Sequence, residues 1–208
     1  KERLDPEHRE TFEELLQTVL MSAKLVKELL DVSRLEQGRI DLIAADVDVQ
    51  KLLGEIGKEF IHFATSHNVT LRIFPHSTTG GPWIMRGDAE RLKDVFRNLI
   101  ANAVSYNNPR GEAAIDVFCV PAREAARGAL ELRGSDDLQS YFAAFISAKK
   151  PQDESFLMIT IADTGLGIPE GDQGSIFHSF FRASNVEKRG LQGTGLGLSF
   201  IKQVIEDH

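Results

Sequence analysis

Between residues 6 and 37 the apolar side chains return at alternating spacings of four and three, at Phe12, Leu16, Val19, Ala23, Val26 and Leu30. That heptad rhythm predicts one long helix carrying a seam for a coiled coil or helical bundle. Leu15, Leu20, Leu25 and Leu29 widen the stripe beyond a two-helix seam, which suits a four-helix bundle. Packing of this helix on its own domain is the simpler alternative. Asp5-Pro6 makes a good start and Gly38 a good stop.

The pattern then changes. Residues 40–47 have an extended look, and Val49 to about Ser66 is amphipathic with helical spacing. Val69 to Phe74 alternates as a strand, residues 78–82 form a Gly-Pro turn, and Trp83 to Arg86 is a second short strand. Asp88 caps a helix over Ala89 to about Ser105. Ala114–Val120 and Phe156–Ala162 read as buried strands, and a last helix runs from about Leu196 to at least Ile205. Helices and strands in this order predict an α+β fold, a two-layer sandwich preceded by the long helix. The expected division is residues 1–44 for helix and linker and 45–208 for the globular domain. Residues 121–155, rich in Ala, Arg and Glu, break the rhythm and read as an insertion at the sandwich edge. No internal repeat is found.

Composition narrows the classes. The 208 residues are 42% hydrophobic and 26% charged, which predicts a packed core. A net charge of −7 argues against a general nucleic-acid binder, since backbone phosphates demand a basic face, but leaves room for a local nucleotide site. Cys119 is the single cysteine, so no internal disulfide forms and the usage fits a reducing compartment. No apolar run approaches the roughly 20 residues of a membrane helix, and no signal peptide is visible. The expected location is cytoplasmic. The chain starts and stops abruptly, as a fragment would, so a membrane attachment would come only through segments outside it.

Four short stretches carry candidate chemistry. Asn98 and Asn102 stand four apart on one helix face, where neutral amides can offer oxygen to a hard cation or N–H to phosphate. A surface Asn pair is the bland alternative, although Asn is a poor helix former in an otherwise apolar helix. Asp163 follows a strand and is followed by Gly165 and Gly167. A carboxylate at the mouth of a sheet can accept from an exocyclic amine such as that of adenine and would reject guanine, which offers a carbonyl there. Asp-Thr-Gly is also a common turn, and it occurs in aspartic proteases, which need two carboxylates sharing a proton. Gly193-Thr194-Gly195-Leu196-Gly197 opens a helix, whose N–H groups favour an anion. Its spacing is neither that of a dinucleotide fingerprint nor that of a P-loop. Phe177 to Arg182, then a polar run from Ala183 to Gln192, suggests a movable lid anchored by Phe177 and Phe180 or Phe181, with Arg182 as a charge clamp. Ordinary core aromatics and a surface arginine are the alternatives.

In order and surroundings these stretches resemble the N, G1, F and G2 motifs of two-component sensor histidine kinases. The resemblance implies the Bergerat-type ATP sandwich shared with gyrase, mismatch-repair and chaperone ATPases. Residues 6–37 resemble the second helix of that family's dimerisation bundle, and Leu29-Leu-Asp-Val-Ser-Arg-Leu-Glu-Gln-Gly resembles its exit. By resemblance, Asn102 would bind Mg²⁺, with Asn98 near the phosphates. Asp163 would bind the adenine amine. Gly165 and Gly167 would let the loop pass the ring, which Ile168 and Tyr106 would line. Arg182 would contact the terminal phosphate, and Gly193, Thr194, Gly195, Leu196 and Gly197 would line the phosphate channel.

The implied activity is transfer of the ATP γ-phosphoryl group to a histidine on a preceding helix, for relay to an aspartate of a response-regulator receiver domain. The implied assembly is a homodimer through the N-terminal helix. Ser105 stands where the family often has a phosphate-contacting Lys. His8 lies at the wrong place and is followed by Arg9 rather than by the acidic residue and Pro context of an acceptor, and the family's final strands are expected beyond residue 208. Two rivals remain at this stage. One is an ATPase of the same fold that uses ATP as a conformational switch, with Asp94 as its carboxylate. The other is a degenerate, non-enzymatic dimeric scaffold.

Overall fold

A computed structural model describes residues 42–77, 83–121, 155–191 and 193–208, together with a set of positions between residues 8 and 30. The turn over 78–82, the body of the insertion between 121 and 155, and both expected ends of the N-terminal helix lie outside the described residues. The chain divides into two compact units, Ile43–Gly167 and Lys1–Leu42 with Ile168–His208.

In the unit Ile43–Gly167, two helices lie against one three-stranded sheet. Helix α1 is Val49–Ser66, and the Asp48 carboxylate accepts from Lys51 N at 3.0 Å at its start. Helix α2 is Ala89–Ser105, with Asp88 accepting from Glu90 N and Arg91 N, both at 3.1 Å. The strands are β1 (Ala45–Asp48), β2 (Thr70–Ser77), β3 (Ile84–Gly87), β4 (Glu112–Pro121) and β5 (Ser155–Asp163). β1 and β3 pair antiparallel as a small sheet of their own, so the expected linker ends in a strand. The larger sheet runs β2-β4-β5, with β4 parallel to β2 and antiparallel to β5. α1 packs on β2, α2 packs on β4 and β5, and the helices touch each other, giving the two layers expected from the sequence.

The apolar faces explain this packing. Val49, Leu52, Leu53, Ile56 and Ala64 of α1, and Leu92, Val95, Phe96, Ile100, Ala103 and Val104 of α2, are buried at helical spacing. Ala113, Ala114 and Ile115 of the central strand β4 are buried too. β5 differs from the expectation of a buried strand: residues 157–161 are half-buried, and Ala162 and Asp163 are exposed. Among the described residues it lies at the sheet edge, with β4 as its neighbour. On the outer face of the helices Arg97 donates to Glu59 through Nε and Nη2, at 3.1 and 2.9 Å, and lies 3.9 Å from Asp94.

In the other unit, the described positions between 8 and 30 are helical and exposed, including Phe12, Leu15, Leu16, Val19, Val26, Leu29 and Leu30. After Gly167 come two short helices, α3 (Glu170–Gln173) and α4 (Ser184–Lys188), and the longer α5 (Gly197–Asp207). Phe200, Ile201 and Val204 are the buried residues of α5. Among the described residues no helix is long and apolar enough to cross a membrane.

Ile100 is fully buried, so Ile100→Ala should cost about 2–5 kcal/mol in urea unfolding. Asp88→Ala should cost about 1 kcal/mol through loss of the cap. Burial raises the Asp88 carboxyl pKa, but N–H donors from Arg91, Ile43 and Glu90, and the Arg91 charge, outweigh it and hold the group below its usual value. A depressed carboxylate stabilises the fold fully above its unfolded pKa and loses that contribution as pH falls through the folded one. The stability gap between wild type and Asp88→Ala should therefore be present at pH 7 and narrow under acid titration below the ordinary carboxylate range.

Candidate functional site

Helix α2 ends against the turn that follows β5. Asn98 and Asn102 are half-buried and share one stripe with Tyr106, the residue that closes the helix, beside the buried face of α2. Tyr106 N donates to Asn102 O at 3.0 Å, and Tyr106 O accepts from Leu166 N at 3.0 Å. The helix end is thus joined directly to the Asp163–Gly167 segment. Asp163 ends β5 opposite Ala113, and its Oδ1 accepts from Gly165 N at 2.8 Å. One carboxylate oxygen is used to shape the turn, and the exposed side chain has a second. Gly165 is where this approach is closest: a Cβ there would lie 2.4 Å from Tyr106 O and 2.6 Å from Asp163 Oδ1. Only hydrogen fits. Gly167 closes the turn in the left-handed region at φ +63°.

The other half of the predicted site lies in the second unit. Ile168 is exposed, and its carbonyl accepts from Gln173 Nε2 at 3.2 Å. Residues 172–181 form a chain of turns, with Ser175 N bonding to Asp172 O, His178 N to Ser175 O and Phe181 N to His178 O. Such turns offer no continuous face to bury. Phe177 and Phe180 are therefore exposed, Phe180 by 62%, and only Phe181 is half-buried. Of the expected anchors, Phe177 and Phe180 or Phe181, the first two are corrected to exposed side chains and Phe181 is the half-buried one.

Two clasps hold this segment. The Asp172 carboxylate accepts from Ser184 N and Ser184 Oγ, both at 2.8 Å. Those bonds, backbone first and then side chain, with Lys188 nearby, hold its pKa below the usual value despite some desolvation. Arg182 donates through Nη2 to Leu191 O, closing the run that follows it. Its buried Nε–H has no partner among the described residues.

The glycine-rich segment meets the aromatic one at backbone level. Gly195 sits at φ +71°, and a Cβ there would fall 2.6 Å from Phe180 C and 2.8 Å from Phe181 O. Phe180 is itself left-handed at φ +66°, a rare state for an aromatic. Gly193 and Thr194 are half-buried, and Thr194 Oγ1 accepts from Leu196 N at 3.2 Å. Leu196 is fully buried, so its side chain is core, and only its backbone can face a ligand. α5 opens at Gly197 with no side-chain cap, which leaves the positive end of its dipole available to an anion.

Thus Asn98, Asn102, Tyr106, Asp163, Gly165 and Gly167 are drawn together around one helix end, and Arg182, Gly193, Thr194, Gly195, Leu196 and Gly197 gather around a second backbone contact. Sequence reasoning missed Asn107, Asn108 and Thr164, whose hydrogen bonds fasten the first group. The two asparagines directly after a helix and before Pro109 were the available signal. Among the described residues no group of three or more His, Cys, Asp or Glu side chains is placed to hold a metal ion. A cation here would rest on amide and phosphate oxygens, a donor set suited to Mg²⁺.

Two helices on a mixed sheet, with an exposed aspartate where the edge strand meets a helix end, define a GHKL-type ATP-binding domain. Residues 87–208 match the family described as histidine kinase-, DNA gyrase B-, and HSP90-like ATPase, and the chain belongs to that family. Histidine kinase 2 of Arabidopsis thaliana is 25% identical over 205 residues, covering 88% of this chain and 17% of that protein. The chain therefore spans under a fifth of that relative's length. Full-length ShkA in complex with AMPPNP shares the fold with TM-score 0.66 at 20% identity, covering 98% of this chain and 34% of that one. ThkA in complex with the response regulator protein TrrA does so with TM-score 0.58 at 18% identity, covering 99% of this chain and 46% of that one. The domain is of the histidine kinase-, DNA gyrase B-, and HSP90-like ATPase type, and the relatives it matches include histidine kinases. Neither the ATPase switch nor the decayed scaffold is favoured.

Gly195→Ala forces an L side chain into the left-handed region, at about 1–2 kcal/mol, and also collides with fixed backbone. The variant should show faster amide hydrogen exchange at Phe180–Arg182 and a lowered melting temperature. Amide exchange in β4 should change less.

Proposed function

We propose that this chain binds ATP with Mg²⁺ and catalyses transfer of the γ-phosphoryl group to a histidine on a helix preceding residue 1. The phosphohistidine then passes the group to an aspartate of a response-regulator receiver domain. The observation that carries the reading is the crowded joint at Gly165, where helix end and turn leave the Asp163 carboxylate exposed at the sheet mouth. Asp163 accepts from the adenine amine, Tyr106 and Ile168 flank the ring, and Gly165 and Gly167 keep the turn thin enough to pass it. Asn98 and Asn102 offer amide groups to the phosphates and the metal. Mg²⁺, when bound, neutralises charge on the phosphate oxygens. The uncapped start of α5, with Gly193, Thr194, Gly195 and Gly197, supplies N–H groups for the phosphate chain, with Leu196 contributing backbone alone. Arg182 stabilises charge on the terminal phosphate with the N–H groups not given to Leu191.

The domain boundary at 44/45 separates the dimerising helix and linker from the catalytic region in this reading. The exposed apolar stripe from Phe12 to Leu30 supports a homodimer built through that helix, since so much apolar surface needs a partner. ATP as substrate and a receiver domain as partner put the chain in the cytoplasm, with any membrane attachment through other segments. Against the ATPase switch, Asp94 is engaged by Arg97, which is itself committed to Glu59.

With labelled ATP and Mg²⁺, the chain should bind nucleotide and take up no label, and should phosphorylate an added acceptor helix carrying a histidine. Label on the chain itself would overturn the assignment. Asp163→Ala should weaken ATP binding about tenfold or more. Arg182→Ala should slow transfer by about 100-fold with a smaller change in affinity. Val19→Lys with Val26→Lys should convert a dimer to a monomer in sedimentation equilibrium.

A further inference from the structure

Asn107 makes four side-chain hydrogen bonds to three different parts of its unit. Its Nδ2 donates to Ala103 O at 2.9 Å and to Glu112 O at 3.0 Å. Its Oδ1 accepts from Asn108 N at 2.9 Å and from Thr164 Oγ1 at 3.2 Å. A primary amide has two donors and two acceptor lone pairs, so this one is saturated. It joins the last turn of α2, the start of β4 and the residue after Asp163. Thr164 completes the joint, accepting from Glu112 N at 2.8 Å through Oγ1, while its own N donates to Glu112 O at 3.1 Å. The chain is cut back to make room, for a Cβ on Gly111 would lie 2.0 Å from Asn107 Oδ1.

Asn108 extends the joint onto the turn itself. Its Nδ2 donates to Thr164 O at 2.7 Å and to Gly165 O at 3.2 Å. The first carbonyl belongs to the same peptide as the Gly165 N–H that binds Asp163 Oδ1, and the second belongs to the peptide that follows. The orientation of the Asp163 carboxylate therefore follows from a peptide plane gripped by Asn108. Asn108 is exposed, and the buried residues at this end of α2 are Ala103 and Val104.

We propose that Asn107 and Asn108 are positioning residues for nucleobase selection: they fix the Thr164–Gly165 peptide so that one oxygen of Asp163 is spent on Gly165 N and the other is aimed at a 6-amino group. The inference rests on Asp163 being the base reader. Asn107 anchors the joint to the fold, and Asn108 carries the orientation to the turn. Removing Asn108 frees the peptide to rotate and the carboxylate to follow it. What is lost is discrimination for the amino group, in addition to any general affinity.

The test compares binding of ATP with that of purine riboside 5′-triphosphate, which lacks the 6-amino group, by titration calorimetry with Mg²⁺. The wild-type chain should prefer ATP by about tenfold, the worth of one hydrogen bond to a carboxylate. Asn108→Ala should bring that ratio to within about twofold, as should Asp163→Ala, with the melting temperature of Asn108→Ala close to wild type. Asn108→Asp keeps the shape but turns acceptors toward two carbonyls, and it should behave like the alanine variant. A merely structural role would weaken both nucleotides alike and leave the ratio unchanged, and that result overturns the proposal. A wild-type chain with no preference for ATP would instead overturn the reading of Asp163, and this inference with it.

Discussion

The bond from Leu166 N to Tyr106 O, at 3.0 Å, makes the end of α2 and the turn after β5 a single mechanical piece. Around it are gathered the side-chain bonds of Asn107, Asn108 and Thr164 and the bare Cα of Gly165. Each hydrogen bond contributes only about 1 kcal/mol net, but they share the same few peptides and support one another. The constraint is geometric more than energetic. α2 carries the amide stripe and β5 carries the carboxylate, so any slack in this joint would let the two drift apart. The same joint sets the ladder between β4 and β5, since Asp163 stands opposite Ala113 at the point where β4 begins.

The second unit uses a different device. The contact between Gly195 and the Phe180–Phe181 backbone places two left-handed residues against each other, one glycine and one aromatic. An exposed aromatic in that region costs about 1–2 kcal/mol, which must be offset by what holds it. The holding elements are the Asp172 carboxylate on Ser184 and the Arg182 guanidinium on Leu191. Both clasps are polar and surround a segment with little buried apolar surface. Such a segment is expected to open at lower free energy than the sheet does.

The long amphipathic elements were legible from the chain. Asp48 and Asp88 are the starting caps of the two helices, and the apolar spacing fixes which face each buries, so Val49–Ser66 and Ala89–Ser105 follow from local chemistry. Strand limits were less legible. β4 begins two residues before the apolar run, at Glu112, and β1 arises in what read as linker, because pairing partners rather than side-chain pattern decide where a ladder ends. The exposure of β5 and of Phe177 and Phe180 was hidden for a related reason. An apolar residue states a preference for burial, and only its neighbours in space decide whether burial is on offer.

What the sequence alone determined is the set of parts: helices with caps, a carboxylate followed by glycines, amides four apart, and a glycine-lined helix start, each recognisable because it depends on residues within a turn or two. The tertiary structure decided how those parts bear on one another. Nothing local marked Asn108, whose amide reaches Thr164, 56 positions away, and Leu196, placed by resemblance in a phosphate channel, has a fully buried side chain. Local propensity is written in neighbouring residues and can be read there. A hydrogen bond across fifty residues exists only once the sheet has brought its two ends within 3 Å, and no pattern along the chain encodes that distance.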